Sequence, residues 1–527
     1  MNSRGLNRFS LTAHLSYTRR VADMRASAMF EMGKNGKKTG LGRALMNNKR
    51  TVKNSRIREF ERIQNADDAN GLEIVHQKGT ALQSIIETND YDAFRDRALM
   101  EGRSFSAVRG EARLITSDEP ISLNYTDPSQ VNDRVMKLLR IPYRPNWRMV
   151  SPKELPKVEE EAFLKWRSGM AAIEQTDNIE LTPFEKSINV WRQLWHVVEK
   201  SDVIVQVVDA RNPLLYRCKD LEIYTKFTAK RLREYYQQQY EEKNPGSGRT
   251  FDYQKQSMLL VNKADLLTLE QRQAWADWFN GQGISFVFFA ATVEESDEQA
   301  DAPMEAAVGP NTAAIVTRTD IIRILHSRRG SVDRPWMDKY PYTVGLVGFP
   351  NVGKSSFINS LFTRKRVATG ATPGKTQRYQ TLLLPVDAET GDADPMVLCD
   401  CPGLVFPTIS RTREEMVLAG VIQIDRMRNY LTPTKLCLDW FDRETLGKAF
   451  KMTFPKPGID DDPDRKMTPH EALEALARAR GFVHHASVAD CGRASRILLK
   501  EVVNGINLRH CHMPPDSGKV EVQVGAV

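Results

Sequence analysis

Six short apolar runs punctuate the middle of the chain: VIVQVVD (203–209), SMLLVN (257–262), ISFVFFA (284–290), YTVGLVG (342–348), TLLLPV (381–386) and MVLCD (396–400). Each has the length of a strand, is rich in β-branched residues and is apolar on both faces. Helix-like sequence alternates with them, which predicts a mostly parallel sheet covered on both sides, an α/β fold. Ahead of the first run, Phe184, Ile188, Trp191, Trp195 and Val198 recur at three- and four-residue spacing and predict a helix that turns its tryptophans into the core. SPKE from Ser151, TPFE from Thr182 and TPHE from Thr468 carry the capping-box spacing, in which a hydroxyl and a carboxylate satisfy the free amides of a helix start. After Gly403 the pattern turns helical, with an amphipathic helix from Pro469 to Arg480 stopped by Gly481.

Two stretches break the alternation and read as insertions. Residues 230–256 are polar, part helix and part loop; residues 294–311 are acidic, low in aromatics and expected to be disordered. The organisation that follows is a basic, largely disordered arm (1–70), an N-terminal helical region (71–180), the α/β domain (181–410), a C-terminal helical domain (411–516) and a short tail (517–527).

A chain of 527 residues is too long for one ordinary core, and 41% hydrophobic with 27% charged residues describes a soluble globular protein. No apolar run approaches the roughly 20 residues of a membrane span, so no membrane partner is expected. The six scattered cysteines form neither a disulfide framework nor a zinc pattern, and a reducing compartment is the simpler expectation. Charge is uneven. From Met1 to Arg58, fourteen Lys and Arg residues face only Asp23 and Glu31, more positive charge than the +8 of the whole chain. Such an arm suits the regular phosphates of RNA, although a solvated tail has the same composition. Residues 1–31, Arg-rich and poor in acids, also fit a mitochondrial presequence, and Met32 fits a natural start behind an upstream extension.

The chemistry concentrates in GFPNVGKSS, from Gly348 to Ser356, which follows one apolar run and opens the helix-forming SSFINSLF. This is the phosphate-loop pattern in its strand–loop–helix setting. Gly348 and Gly353 let backbone amides face phosphates, Lys354 reaches the β- and γ-phosphates, and the Ser355 hydroxyl can ligate Mg2+. Asn351, Val352 and Ser356 complete the candidate contacts. DCPG ends the run MVLCD: Asp400 can hold Mg2+ through water, and the Gly403 amide can sense the γ-phosphate. Between the two lies ATPGKTQ, where Thr376, or otherwise Thr372, is a candidate switch threonine closing over metal and phosphate. Lys354, Thr376 and Gly403 are therefore the candidate catalytic set, and Ser355, Thr376 and Asp400 the candidate metal set.

A guanine reader stands before this loop and not after it. In NKAD (262–265), the Asp265 carboxylate can accept from the ring N–H and exocyclic amine of guanine, donors that adenine lacks. Asn262 would brace the loop, and the Lys263 stem would lie against the base. The amide of Ala291 in FFAAT is a candidate for the guanine oxygen, with Ala290 where a serine is usual. In an open parallel sheet the ligand depends on which strand ends are adjacent, not on the order in which loops join them, so the arrangement predicts one circularly permuted site for GTP. Leu404 occupies the place of a water-orienting glutamine and cannot orient water, so slow intrinsic hydrolysis is expected. Asn351 could help hold K+, or could simply stabilise its loop.

The order NKAD, AAT, GFPNVGKSS, PGKT, DCPG resembles that of the circularly permuted GTPases of ribosome assembly. Within them LGRAL, IPYRPNW, LTPFEKSINVWRQLW, SDVIVQVVDARNPLLYRCKDLE, CDCPGLVFP and HCHMPPD resemble the eukaryotic cytoplasmic large subunit GTPases, over most of residues 32–516. The resemblance implies a P-loop GTPase that binds the late precursor of the large (60S) subunit, rRNA and ribosomal proteins included, and uses hydrolysis to release the nuclear export adaptor. By position it implies Gly353, Lys354 and Ser355 at phosphate and magnesium, Asp400 on the metal side, and Asn262, Lys263 and Asp265 at guanine. The extension before Met32, the 230–256 insertion, Ala290 and the absence of a basic tail in SGKVEVQVGAV depart from the pattern.

Overall fold

The computed structural model describes residues 139–176, 181–291, 309–329, 342–362, 378–384, 395–408, 413–427, 429–457, 462, 465–484, 488–515 and 521–524. All of these belong to the larger of the two units into which the chain divides, Lys78–Val527. Helix α1 spans Leu155–Thr176 and α2 Ile188–Lys200. Strand β1 (Val203–Asp209) leads through the short α3 (Pro213–Tyr216) into the long α4 (Lys219–Lys243), followed by β2 (Gln256–Asn262), α5 (Leu269–Gly281) and β3 (Phe286–Phe289). Then come α6 (Arg318–Ser327), β4 (Tyr342–Val347), α7 (Lys354–Leu361), β5 (Gln380–Leu384) and β6 (Met396–Asp400).

The six strands form one sheet in the order β3-β2-β1-β4-β6-β5. All neighbours are parallel except β5, which runs antiparallel to β6 at the edge. The central strands β1 and β4 are buried along their whole length, as a sheet covered on both faces requires. Gly345 in β4 is there for closeness: a Cβ would lie 2.5 Å from Ser201 Oγ and 2.9 Å from Val197 Cγ1, so any larger residue would push α2 off the sheet. Trp191 and Trp195 of α2 are fully buried, and their indole N–H groups donate to the carbonyls of Glu185 (2.9 Å) and Pro142 (2.7 Å).

Two capping expectations are corrected. TPFE does not start α2, which begins six residues later at Ile188. Thr182 and Glu185 instead lie along the strand-like segment after β6: Thr182 N donates to Thr408 O at 2.9 Å, Glu185 N to Val405 O at 3.1 Å, and Thr408 N to Thr182 Oγ1 at 3.0 Å. Phe184 therefore leaves the helix face and packs with Met170, Ile173 and Leu181. In SPKE, Ser151 Oγ donates to Glu154 (2.7 Å) within a turn, and α1 starts only at Leu155.

The 230–256 stretch is better ordered than its composition suggests. α4 runs to Lys243, and Phe251, Tyr253 and Lys255 are buried beyond it. Lys255 Nζ donates to the carbonyls of Val198, Glu199 and Ser201 at 2.5–2.7 Å, capping the end of α2 where free carbonyls and the helix dipole attract a cation. The IPYRPNW segment is tied down in the same region: Ile141 N and Tyr143 Oη donate to Asp220, and Arg144 pairs with Glu159 and Glu199. Most of the 294–311 insertion lies outside the described residues.

The C-terminal part comprises α8 (Arg413–Leu418), α9 (Leu431–Trp440), α10 (Arg443–Phe450), α11 (Pro469–Ala479) and α12 (Cys491–Asn504). Thr468 and Glu471 form the expected capping box at α11. Beyond the helices, β7 (Leu508–Cys511) pairs antiparallel with β8 (Glu521–Val524), so the stretch read as a tail supplies a strand. Among the described residues no helix is long and apolar enough to cross a membrane.

Candidate nucleotide site

Parallel register sets the site. Asp209 pairs with Asn262 and Leu346 with Asp400, so β1, β2, β4 and β6 deliver their carboxyl ends to one edge of the sheet. The loop from Gly348 to Gly353 leaves β4 there. Gly348 lies so close to β1 that a Cβ would meet the Val207 carbonyl, and Asn351 and Gly353 take left-handed conformations, with φ of 61° and 96°. Lys354 opens α7 with its ammonium buried, donating to the carbonyls of Gly348 (2.8 Å) and Phe349 (2.6 Å). Burial, opposed by Asp400, lowers its pKa to about 8. Ser355 and Ser356 follow, half-buried, in the first turn of α7.

The other phosphate-side elements pack onto this loop. A Cβ on Gly403 would stand 2.9 Å from the Pro350 backbone, and Leu404 N donates to Gly348 O at 3.2 Å. Asp400 is fully buried, and neither carboxylate oxygen makes a well-formed hydrogen bond. Burial raises its pKa to about 6, against the pull of Lys354 and of the neighbouring Ser355 hydroxyl. A buried carboxylate with spare lone pairs beside a serine hydroxyl is a donor set that suits a hard divalent cation such as Mg2+. Thr376 and Thr372 lie outside the described residues.

The guanine-side residues meet the loop directly. Asn262, buried at the end of β2, donates from Nδ2 to the carbonyl of Val352 at 2.8 Å, across ninety residues of chain. Its Oδ1 is buried without a partner. Lys263 is left-handed (φ 62°), and its ammonium donates to Asp209 at 2.7 Å. Burial holds that ammonium below the ordinary lysine pKa, although Asp209 pulls the other way. Asp265 stands exposed in the turn beyond, and Ala291 sits just past β3, whose last residue Phe289 pairs with Asn262. Two distant strings thus meet, with glycines where a side chain would strike the neighbouring segment.

The 50S ribosome-binding GTPase family matches this chain over residues 343–444, from β4 through the phosphate loop into α10. GTPase LSG1-1 of Arabidopsis thaliana is 35% identical over 514 residues, covering 92% of this chain and 88% of its own. The Large subunit GTPase 1 homolog of Drosophila melanogaster is 34% identical, covering 84% of this chain and 76% of its own, and that of Danio rerio 32%, covering 91% and 82%. The chain belongs to the large subunit GTPase family. This large subunit GTPase is also similar to the GDP-bound structure of YlqF, at 18% identity and a TM-score of 0.33, covering 63% of this chain and 99% of that one. The enzyme hydrolyses GTP, on a P-loop domain in which β2, ending at NKAD, precedes β4, which leads into the phosphate loop.

Sequence reasoning missed the role of DAR (209–211), noticed only as part of the resemblance. Asp209 is buried between two cations: Arg211 bonds it through Nε (3.0 Å) and Nη2 (2.8 Å), and Lys263 through Nζ. Burial alone would raise its pKa, but Arg211 and Lys263 outweigh it and hold the carboxyl well below the usual range. An acid as the last residue of a fully buried strand was the available signal. Asn351, considered for K+, gives its side-chain N–H to the carbonyl of Gly420 at 2.7 Å, a brace between the loop and the C-terminal helices.

Proposed function

We propose that this GTPase is an assembly factor of the large ribosomal subunit, acting late in the cytoplasm and coupling hydrolysis to release of the nuclear export adaptor. The observation that supports the nucleotide chemistry is the Asn262–Val352 bond, which joins NKAD to the phosphate loop as a single guanine nucleotide site would require. In this reading Asp265 accepts the two guanine donors and the stem of Lys263 lies along the base. Lys354 transfers its bonds from the Gly348 and Phe349 carbonyls to the phosphates. Ser355 and Asp400 hold Mg2+, with Thr376 as the switch threonine and the Gly403 amide near the terminal phosphate. Bound magnesium supplies charge neutralisation on the β- and γ-phosphates. The relatives' name and the ribosome-binding description of the matched family support the ribosomal target, and the arm of residues 1–58 offers the charge to grip rRNA.

The test is co-sedimentation with large ribosomal subunits. Loading with a non-hydrolysable GTP analogue should hold the protein on the particle, and GDP should release it; equal recovery in both states would refute nucleotide-timed binding. Leu404 favours a second reading, a GTP-organised scaffold with little turnover, because an apolar, fully buried side chain stands where a water-orienting glutamine is expected. Turnover that stays at background with particles and K+ present would select the scaffold.

A further inference from the structure

Phosphate binding, magnesium and guanine recognition leave Arg211 without a task, although it is buried and bonded in two directions. Toward the sheet, its Nε and Nη2 grip the two oxygens of Asp209, and its backbone N–H donates to Oδ1 at 3.0 Å. Away from the sheet, its Nη1 donates to the carbonyls of Val502 (3.1 Å) and Val503 (3.0 Å) in the last turn of α12. Those carbonyls have no partner within the helix and sit at the negative end of its dipole, so a cation from another element caps them. A planar guanidinium can do both at once; a lysine cannot.

Asp209 passes the restraint on to the base. Its Oδ2 accepts from Lys263 Nζ at 2.7 Å, which fixes the far end of the side chain whose stem faces guanine. A second line leaves the phosphate loop, where Asn351 Nδ2 donates to the Gly420 carbonyl. The two lines converge. A Cβ on Gly420 (φ +71°) would stand 2.8 Å from Val503 Cγ1, so the residue that receives Arg211 packs on the residue that receives Asn351.

We propose that Asp209 and Arg211 are positioning residues for guanine recognition that tie Lys263 to the end of α12, making the C-terminal helical domain sensitive to whether a guanine nucleotide is bound. The inference rests on the guanine-site reading given above. Because it works through the base, which GTP and GDP share, this line reports an occupied site against an empty one. Coupling is reciprocal: anchoring α12 strengthens nucleotide binding as much as the nucleotide steadies α12.

The experiment uses the full chain, with fluorescent N-methylanthraniloyl-GDP for affinity and amide hydrogen exchange over 498–505 with and without GDP. In the parent protein GDP should bind and should slow exchange there several-fold. Arg211→Gln, which leaves Asp209 and Lys263 paired, should still bind GDP, with affinity reduced within the roughly 5–150-fold span of such couplings, and should lose the slowing. Asp209→Asn should lose the slowing and bind GDP at least about tenfold more weakly, the effect of one charged contact. Exchange in α11 without nucleotide should match the parent, which separates lost coupling from lost folding. Should Arg211→Gln not fold, Arg211→Lys keeps a charge near Asp209 without spanning to Val502, and should give the same result. Slowing retained in the Arg211 variant, or absent from a parent that binds GDP, would overturn the inference. A parent that fails to bind GDP overturns the guanine-site reading and this inference together.

Discussion

The amide nitrogen of Asn262 occupies the space that a Cβ on Gly353 would need, and the φ of 96° at that glycine is one that other residues adopt only with strain. The base-side and phosphate-side halves of the site therefore touch at a point with no room for a methyl group. Gly353→Ala should weaken GTP binding by about fivefold or more, since a left-handed alanine alone costs about 1–2 kcal/mol and about 1.4 kcal/mol is tenfold. A fluorescent-nucleotide titration measures it; unchanged affinity would mean that the two halves do not share a ligand.

Asp265→Asn replaces an acceptor with a group that can donate. GTP affinity should fall by about 10–100-fold, the 1.5–3 kcal/mol of hydrogen bonds to a charged group. Xanthosine triphosphate, which carries a carbonyl where guanine carries its amine, should gain. Competition between the two nucleotides checks this, and retained GTP selectivity would remove Asp265 from the base reader.

Asp400→Asn should stabilise the ligand-free protein and abolish magnesium-dependent turnover. Burial sets the carboxyl near pKa 6 when folded, against 3.8 for an ordinary aspartate. Between those values the folded chain keeps a proton that the unfolded chain releases. The associated stability is complete below about pH 3.8 and lost as pH rises through 6, by up to about 3 kcal/mol at about 1.36 kcal/mol per pKa unit. Melting temperatures across pH 4–7 should therefore decline less steeply in the asparagine variant. A parallel decline in both proteins would mean that the carboxyl is not strained by burial.

Leu404→Gln should not create a faster enzyme. The leucine side chain is fully buried, so glutamine there would put an amide into the core at a cost of about 1–3 kcal/mol if unpaired. Single-turnover hydrolysis should be no faster than in the parent, with a lower melting temperature; acceleration would show that the side chain can swing out to the nucleotide.

Local pattern carried the fold a long way, because a strand buried on both faces must be apolar throughout. The six apolar runs coincide with β1 to β6 to within two residues at each end. Capping was less legible. Thr468 caps α11, whereas Thr182 is drawn off by Thr408, more than two hundred residues away, and no local spacing reveals such a competitor. The boxes at Thr268 and Thr317 use Gln271 and Asp320 as their third-position partners. At the site, the loop and NKAD are visible as strings. That Asn262 bonds to Val352, or that Arg211 reaches Val502, depends on strand order and on how the C-terminal helices dock.

The strand order also has a consequence for the chain as it is synthesised. β1 lies between β2 and β4, yet β4 begins eighty residues after β2 ends. A nascent chain that has paired β1 with β2 and β2 with β3 still shows the bare edge of β1, the kind of margin on which a neighbouring polypeptide can template itself. Translation therefore delivers the strand that ends in NKAD first and leaves that side of the sheet open until the strand of the phosphate loop arrives to close it.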